Sequence, residues 1–201
     1  MQNLILAAGL GMRSKGKKLL LPYKGTTIVA HAVEQSLMAG LKTVLVTGFR
    51  AEQVAQAVAH LACSQLQIVH NEHYRKGQGS STICGASYLS HESPFFISLA
   101  DMPLIESRHY LYLMEQAVEP VARPSYHGRL GHPVLLDPSF LAIIKSQKSS
   151  FTMRELLQKY PVQAIEVADE AYITDIDTLD AYHRLVESSQ SYGQPPHHPE
   201  A

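Results

Sequence analysis

Residues Leu6–Pro22, LAAGLGMRSKGKKLLLP, decide how this chain is read. The stretch leaves a buried strand, predicted over Asn3–Ala8, and enters a loop with two glycines, Gly9 and Gly11. Four cations follow, Arg13, Lys15, Lys17 and Lys18, before apolar residues resume at Leu19. Glycines let backbone N–H groups approach a phosphate closely. Arginine forks onto phosphate oxygens, and lysine adds a compact charge. The alternative is a solvated basic turn, but the position directly after a core strand favours a phosphate site. Two familiar motifs begin here and neither is completed. Gly9-x-Gly11 opens a dinucleotide fingerprint whose third glycine position is Ser14. Gly11-x4-Gly16-Lys17 opens a P-loop, but Lys18 replaces the hydroxyl that holds Mg²⁺, so a standard P-loop NTPase is disfavoured.

Outward from this loop, apolar runs alternate with amphipathic ones. Helices are predicted over Thr27–Ala39, with Gly40 as its C-terminal cap, and over Ala51–Leu61, Ser80–Leu89 and Glu106–Val118. Strands are predicted over Thr43–Thr47, Leu66–His70 and Phe95–Ala100. The second half is less regular. It gives strands over Gly131–Leu136 and Val162–Val167, and helices over Ser139–Ser146, Thr152–Lys159 and Thr178–Ser188. Strands alternating with helices imply an α/β fold, a mostly parallel sheet covered on both faces. Ligands of such sheets sit beyond the carboxyl ends of the strands. That rule points to the loop after Ala8, the segment around Gly48 and the loop starting at Asp101. One domain is expected over residues 1–187, followed by a disordered tail, 188–201, rich in Ser, Pro, Gln and His.

Composition narrows the classes. The chain has 201 residues, 45% of them hydrophobic, and a formal net charge of -1. Charge alone therefore gives no general affinity for nucleic acid or membrane. No apolar run approaches the roughly 20 residues of a membrane span. The N-terminus lacks a basic n-region, and no signal peptide is expected. The two cysteines, Cys63 and Cys84, match no zinc spacing or disulfide framework. A cytoplasmic protein is the expectation.

Other residues carry chemistry of their own. Asp101, before Met102-Pro103, exposes a carboxylate at the ligand edge unless it only serves a turn. Asp175 and Asp177 alternate onto one side of an extended segment, while Asp177 or Thr178 can equally cap the last helix. Magnesium needs only one or two carboxylates beside phosphate and water. Gly77-Gln78-Gly79-Ser80-Ser81 opens a helix whose N–H groups and hydroxyls suit an anion, or places Ser80 as an N-cap.

The ordered set resembles one family. L-A-A-G-x-G-x-R-(x)4-K-x-L-L-P, with Leu6, Ala7, Ala8, Gly9, Gly11, Arg13 and Lys18, is similar to the signature loop of nucleotidyltransferases acting on molybdenum cofactor and on sugar phosphates. The likeness is greatest to the molybdenum cofactor cytidylyltransferases. Val46-Thr47-Gly48, Asp101-Met102-Pro103, Gly128-Arg129-Leu130-Gly131-His132-Pro133 and Asp175-Ile176-Asp177-Thr178 follow in the family's order. The chain departs at Ser14-Lys15, where the family reads Met-Gly, and at Gly79, where it has serine.

The resemblance implies a Rossmann-like three-layer sandwich, the nucleotide-diphospho-sugar transferase-like fold. It implies Arg13 and Lys18 on the phosphates, and Asp101 and Asp177 on Mg²⁺ or Mn²⁺. Thr47, Gly48, Gly79, Ser80 and Ser81 would lie near the nucleotide, and His132 on the acceptor side. LAAG, rather than LAGG, implies CTP. The implied reaction transfers CMP to the phosphate of molybdopterin, with delivery to a molybdenum hydroxylase or its chaperone. The alternatives are transfer to a sugar phosphate or other phosphorylated acceptor, and a non-catalytic nucleotide- or cofactor-binding delivery protein.

Overall fold

The structure is a computed structural model that describes residues 1–10, 17–176 and 178–191, the last four as backbone only. Gly11, Arg13 and Asp177 of the predicted site lie outside the described residues, as does the predicted tail from residue 192 onward.

The chain opens with β1 (Gln2–Ala7), buried at every position because helices cover both faces of its sheet. A 3₁₀ turn (Lys18–Leu20) leads to a short hairpin, β2 (Pro22–Tyr23) and β3 (Thr26–Thr27). α1 (Ile28–Met38) begins at Thr27, whose hydroxyl accepts the Ala30 N–H, and Gly40 follows it with φ +74. Only glycine enters that left-handed region cheaply, which supports the predicted helix stop. Then come β4 (Lys42–Thr47), α2 (Ala51–Ala57), β5 (Leu66–His70), α3 (Gln78–Ala86), β6 (Phe95–Leu99) and α4 (Ser107–Gln116). The second half adds β7 (Val121–Tyr126), β8 (Arg129–Leu130), β9 (Val134–Leu136), α5 (Phe140–Lys145), α6 (Met153–Leu157), β10 (Gln163–Glu166) and α7 (Leu179–Ser191).

The main sheet runs β10-β7-β9-β6-β1-β4-β5, with β8 paired to β7. Along this path β9 alone is antiparallel, to both β6 and β7. The mostly parallel α/β expectation therefore holds. Alternation along β1 sends Leu4 and Leu6 to one face, where Phe140, Leu141, Ile144 and Leu156 meet them. It sends Ile5 and Ala7 to the other, against Val29, Val33 and Val54. Each such fully buried aliphatic contributes about 1.5–3 kcal/mol. The layering is helix, sheet, helix.

Several elements differ from expectation, four of them in ways that matter for the site or the tail. β7, reading VARPSY, is a strand the pattern does not predict, because Arg123 and Pro124 interrupt its apolar run. The strand expected from Gly131 begins only at Val134. α3 starts two residues early: Gly77, with φ +104, turns the chain into it, and Ser80 is its third residue rather than its cap. α7 continues to Ser191, into the stretch expected to be disordered.

Candidate functional site

The parallel strands β1, β4 and β6 deliver their carboxyl ends to one edge of the sheet. A cavity of about 320 Å³ opens there. Leu6, Ala7, Ala8 and Gly9 form one wall as β1 ends, and Leu99 and Asp101 form the next as β6 ends. Asp101 is half-buried at the sheet edge, where the run through Ala100 leaves the sheet, while Ala100 and Met102 on either side are buried.

Lys18 reaches this carboxylate from the 3₁₀ turn after the basic loop. Its Nζ lies 2.5 Å from Asp101 Oδ2, with the two side chains 15% and 21% exposed. Largely removed from water, the pair interacts more strongly than a surface ion pair would. The acidic segment near the C-terminus also arrives here. The Ile176 N–H donates to the Asp101 carbonyl oxygen at 2.9 Å, so the backbone beside Asp177 is tied to Asp101 itself. Asp175 is exposed on that segment. Lys18 and the Ile176 backbone, far apart in sequence, thus meet at one residue.

The opposite wall comes from the turn before α3 and from α3 itself: Tyr74, Arg75, Gly77, Gln78 and Ser81. Asn71, buried after β5, donates to Ser80 Oγ at 2.9 Å and to Ser81 Oγ at 3.0 Å. Its own Oδ1 accepts the His73 N–H. Ser80 Oγ further lies 2.9 Å from the carbonyl oxygens of His73 and Gly77. Asn71 therefore fixes the start of α3 against the end of β5, and Ser81 faces the cavity while Ser80 stands behind it.

Three predicted residues support this wall without lining it. Thr47 donates to the Val69 carbonyl at 3.0 Å. At Gly48 an added Cβ would stand 2.6 Å from Tyr74 Cβ and 2.8 Å from Ala8 Cβ, so glycine lets two cavity walls meet. At Gly79 it would stand 2.1 Å from the Phe151 carbonyl oxygen. The serine that family members carry at the matching position would have no room here.

His132 lies elsewhere. It borders a second cavity, of about 730 Å³, which shares Gln78 with the first. Burial pushes its imidazole down to about 4, helped by the Arg123 charge, while a backbone hydrogen bond at Ile97 and the Asp101 charge pull the other way. The ring is neutral at pH 7. Its Nδ1 is buried without a hydrogen-bond partner among the described residues.

Sequence reasoning missed Asn71, Tyr74, Arg75 and Gln78. The signal was a polar stretch between the end of β5 and a glycine turn, where loops carried on a rigid sheet place binding groups.

The chemistry of the donor set suits a hard divalent cation. Asp101 offers one carboxylate; Asp177, the second predicted ligand, lies outside the described residues. Among the described residues no group of three or more His, Cys, Asp or Glu gathers. A cation held by one or two carboxylates and substrate phosphates is the magnesium pattern.

The fold is that of the α/β nucleotidyltransferases. A nucleotidyl transferase from Methanothermobacter thermautotroptrophicus superposes with a TM-score of 0.80 at 19% identity, covering 96% of this chain and 98% of the other. The chain belongs to the MobA-like NTP transferase domain family, whose profile matches residues 3–165. Among curated relatives, the nicotine blue oxidoreductase of Paenarthrobacter nicotinovorans is 30% identical over 92% of this chain and 95% of its own length. The molybdenum cofactor cytidylyltransferase of Escherichia coli strain K12 is 26% identical over 89% of this chain and 92% of its own.

Proposed function

We propose that the chain transfers CMP from CTP to the phosphate of a molybdopterin-type cofactor and releases pyrophosphate. The observation that carries this reading is the meeting of Lys18, Asp101 and the Ile176 backbone at the carboxyl edge of β1 and β6. Family membership and the cytidylyltransferase relative support it.

In this reading the triphosphate lies along Leu6–Gly11 under the backbone N–H groups, with Arg13 and Lys18 neutralising its charge. Lys18 exchanges Asp101 for a phosphate oxygen as the nucleotide enters, which frees the carboxylate. Asp101 and Asp177 would hold Mg²⁺ or Mn²⁺, which when bound draws charge from the phosphate oxygens. A phosphate oxygen of the acceptor attacks the α-phosphorus of CTP. The bond from that phosphorus to the bridging oxygen breaks, and the electron pair leaves with pyrophosphate. The nucleophile is already ionised near neutral pH, so no strong general base is required. The side chains act by positioning and by electrostatic stabilisation. A molybdenum hydroxylase or its chaperone would receive the product.

The oxidoreductase relative raises a second reading, oxidoreduction, for which a dinucleotide cofactor is one candidate. Ser14 at the third glycine position of the dinucleotide fingerprint weighs against it.

The test is pyrophosphate release from each of the four NTPs with Mg²⁺ and molybdenum cofactor, beside an arm with NADH or NADPH. Pyrophosphate with CTP well above the other nucleotides is expected. Release only with a sugar phosphate would move the acceptor class. Binding of CTP without turnover would make the chain a delivery protein, and reduced-nicotinamide consumption without pyrophosphate would establish the second reading.

A further inference from the structure

His132 borders two spaces. One is the second cavity, and the other is a small cavity of about 10 Å³ between α1, β6 and α4. A water needs about 10–15 Å³ of such space and at least two polar partners, so there is room for one. The His132 Nδ1 is buried without a hydrogen-bond partner among the described residues. Ser98 and Tyr110 are the other polar side chains in the lining, and Ala32, Leu99, Met102, Ile105 and Pro133 make up the rest.

A run of buried hydrogen bonds ends at this cavity, and its protons all point one way. The Thr43 hydroxyl donates to the Leu41 carbonyl oxygen at 3.2 Å, and a carbonyl can only accept. A hydroxyl has one proton, so Ser36 is the donor in its 2.7 Å contact with Thr43. Ser36 Oγ in turn accepts from Asn3 Nδ2 at 2.9 Å. The Asn3 amide carries the direction onward, because its Oδ1 accepts from Ser98 Oγ at 2.8 Å. Ser98 Oγ then accepts from the Tyr110 hydroxyl at 3.2 Å. All five side chains are buried. Burial also holds the Tyr110 phenol above its ordinary pKa, so its proton stays on oxygen at neutral pH. With their protons already directed along the run, Tyr110 and Ser98 can only accept from the cavity.

A buried polar atom left unpaired is costly. A group that donates both to the end of the run and to Nδ1 removes that cost, and a water has the two protons required. The Tyr110 and Ser98 oxygens stand 3.2 Å apart, too close for one water to aim both protons at them along straight lines. One proton therefore serves this pair and the other serves Nδ1.

We propose that the small cavity holds one ordered water that donates to the Tyr110–Ser98 end of the run and to His132 Nδ1, and that Tyr110 and Ser98 are positioning residues that keep the His132 ring proton on Nε2. The Leu41 carbonyl, just ahead of β4, thus sets the tautomer of a side chain on the far side of the sheet's centre. In the wall of the second cavity His132 then offers an N–H and no lone pair, which suits an acceptor atom. This holds whether or not the chain transfers nucleotides.

Two measurements on the whole chain test it. A high-resolution crystal structure should show one water within hydrogen-bond distance of His132 Nδ1 and of Tyr110 or Ser98; a dry cavity overturns the proposal. Two-bond ¹H–¹⁵N spectra of histidine-labelled protein at pH 7.5, with His132 assigned by its loss in His132→Asn, read the tautomer. The Nε2–H form should exceed the other at least about tenfold, because the other leaves a buried water proton unpaired. A ring proton on Nδ1 overturns the proposal. Tyr110→Phe combined with Ser98→Ala removes both acceptors. The Nδ1 resonance should then move to the position of an unbonded lone pair, while the His70 resonances on β5 stay in place as a check on folding. An unmoved Nδ1 resonance in the folded double variant would show that the run does not hold the water. Should the double variant not fold, the wild-type crystal and spectrum decide the matter by themselves.

Discussion

The two cavities share Gln78 and differ in that the first holds a carboxylate among its cations and the second does not. In the first, Lys18 and Asp101 pair with each other, and Arg75 on the opposite wall adds a second cation. In the second, Arg123 and Arg154 stand without a carboxylate among the described residues. The first is walled by the ends of parallel strands, where backbone N–H groups and a carboxylate present themselves. The second lies between β7, the antiparallel β9 and α6, where a sheet face and a short helix supply apolar surface. A site that holds a carboxylate beside cations suits a ligand that brings charges of both signs, such as a nucleotide with its metal. An uncompensated one suits a plain anion.

Asp101→Ala attacks the first cavity hardest. It removes the proposed metal carboxylate and the ion pair with Lys18, and turnover should fall about 10³-fold, the upper range for loss of a preorganised electrostatic group. Pyrophosphate release across a Mg²⁺ titration measures it; an unchanged Mg²⁺ response would move the metal elsewhere.

The boundary between the cavities should reveal itself in acid. His132 has a folded pKa of about 4 against an ordinary 6.5. Below pH 6.5 the unfolded chain takes a proton that the folded chain refuses, so stability falls as pH drops toward 4 and then levels. The loss attributable to this group is at most about 3 kcal/mol. Urea midpoints at pH 7.5 and 4.5 should show a smaller acid loss in His132→Asn than in wild type. Equal losses would mean that the imidazole is not held neutral by burial.

Lys18→Ala leaves Asp101 free but removes one phosphate contact, and turnover should fall about 10²-fold. Near-normal kcat would take Lys18 out of the chemistry and leave it as the partner of Asp101 alone.

Gly131→Ala sharpens the contrast from the other side. Its Cβ would stand 2.0 Å from the Tyr172 carbonyl oxygen, which accepts the His132 N–H. Overpacking of this kind costs about 2 kcal/mol, a fall in Tm of about 4–8 °C for a chain of this size. Calorimetry reads that fall. CTP binding should persist, because the strain lies beside the second cavity.

Much of the first cavity is legible in the sequence. LAAG leaving a buried strand and Asp101 ending another are local patterns, and both sit where a parallel sheet presents ligands. The second cavity is not legible in this way. Arg123 sits in VARPSY, whose arginine and proline hide a strand, and Arg154 reads as an ordinary solvated helix residue. Gly79 and Gly48 look like loop glycines, yet each is required by another chain segment passing close to it.

The sequence alone determined the alternation of strands and helices and the residues that carry charge, because side-chain period and loop chemistry are local properties. Tertiary structure alone decided that β9 runs antiparallel, that Ile176 binds the Asp101 carbonyl, and that two arginines from a strand and a helix face one cavity. Those juxtapositions depend on strand order and packing across the sheet, which no local pattern encodes.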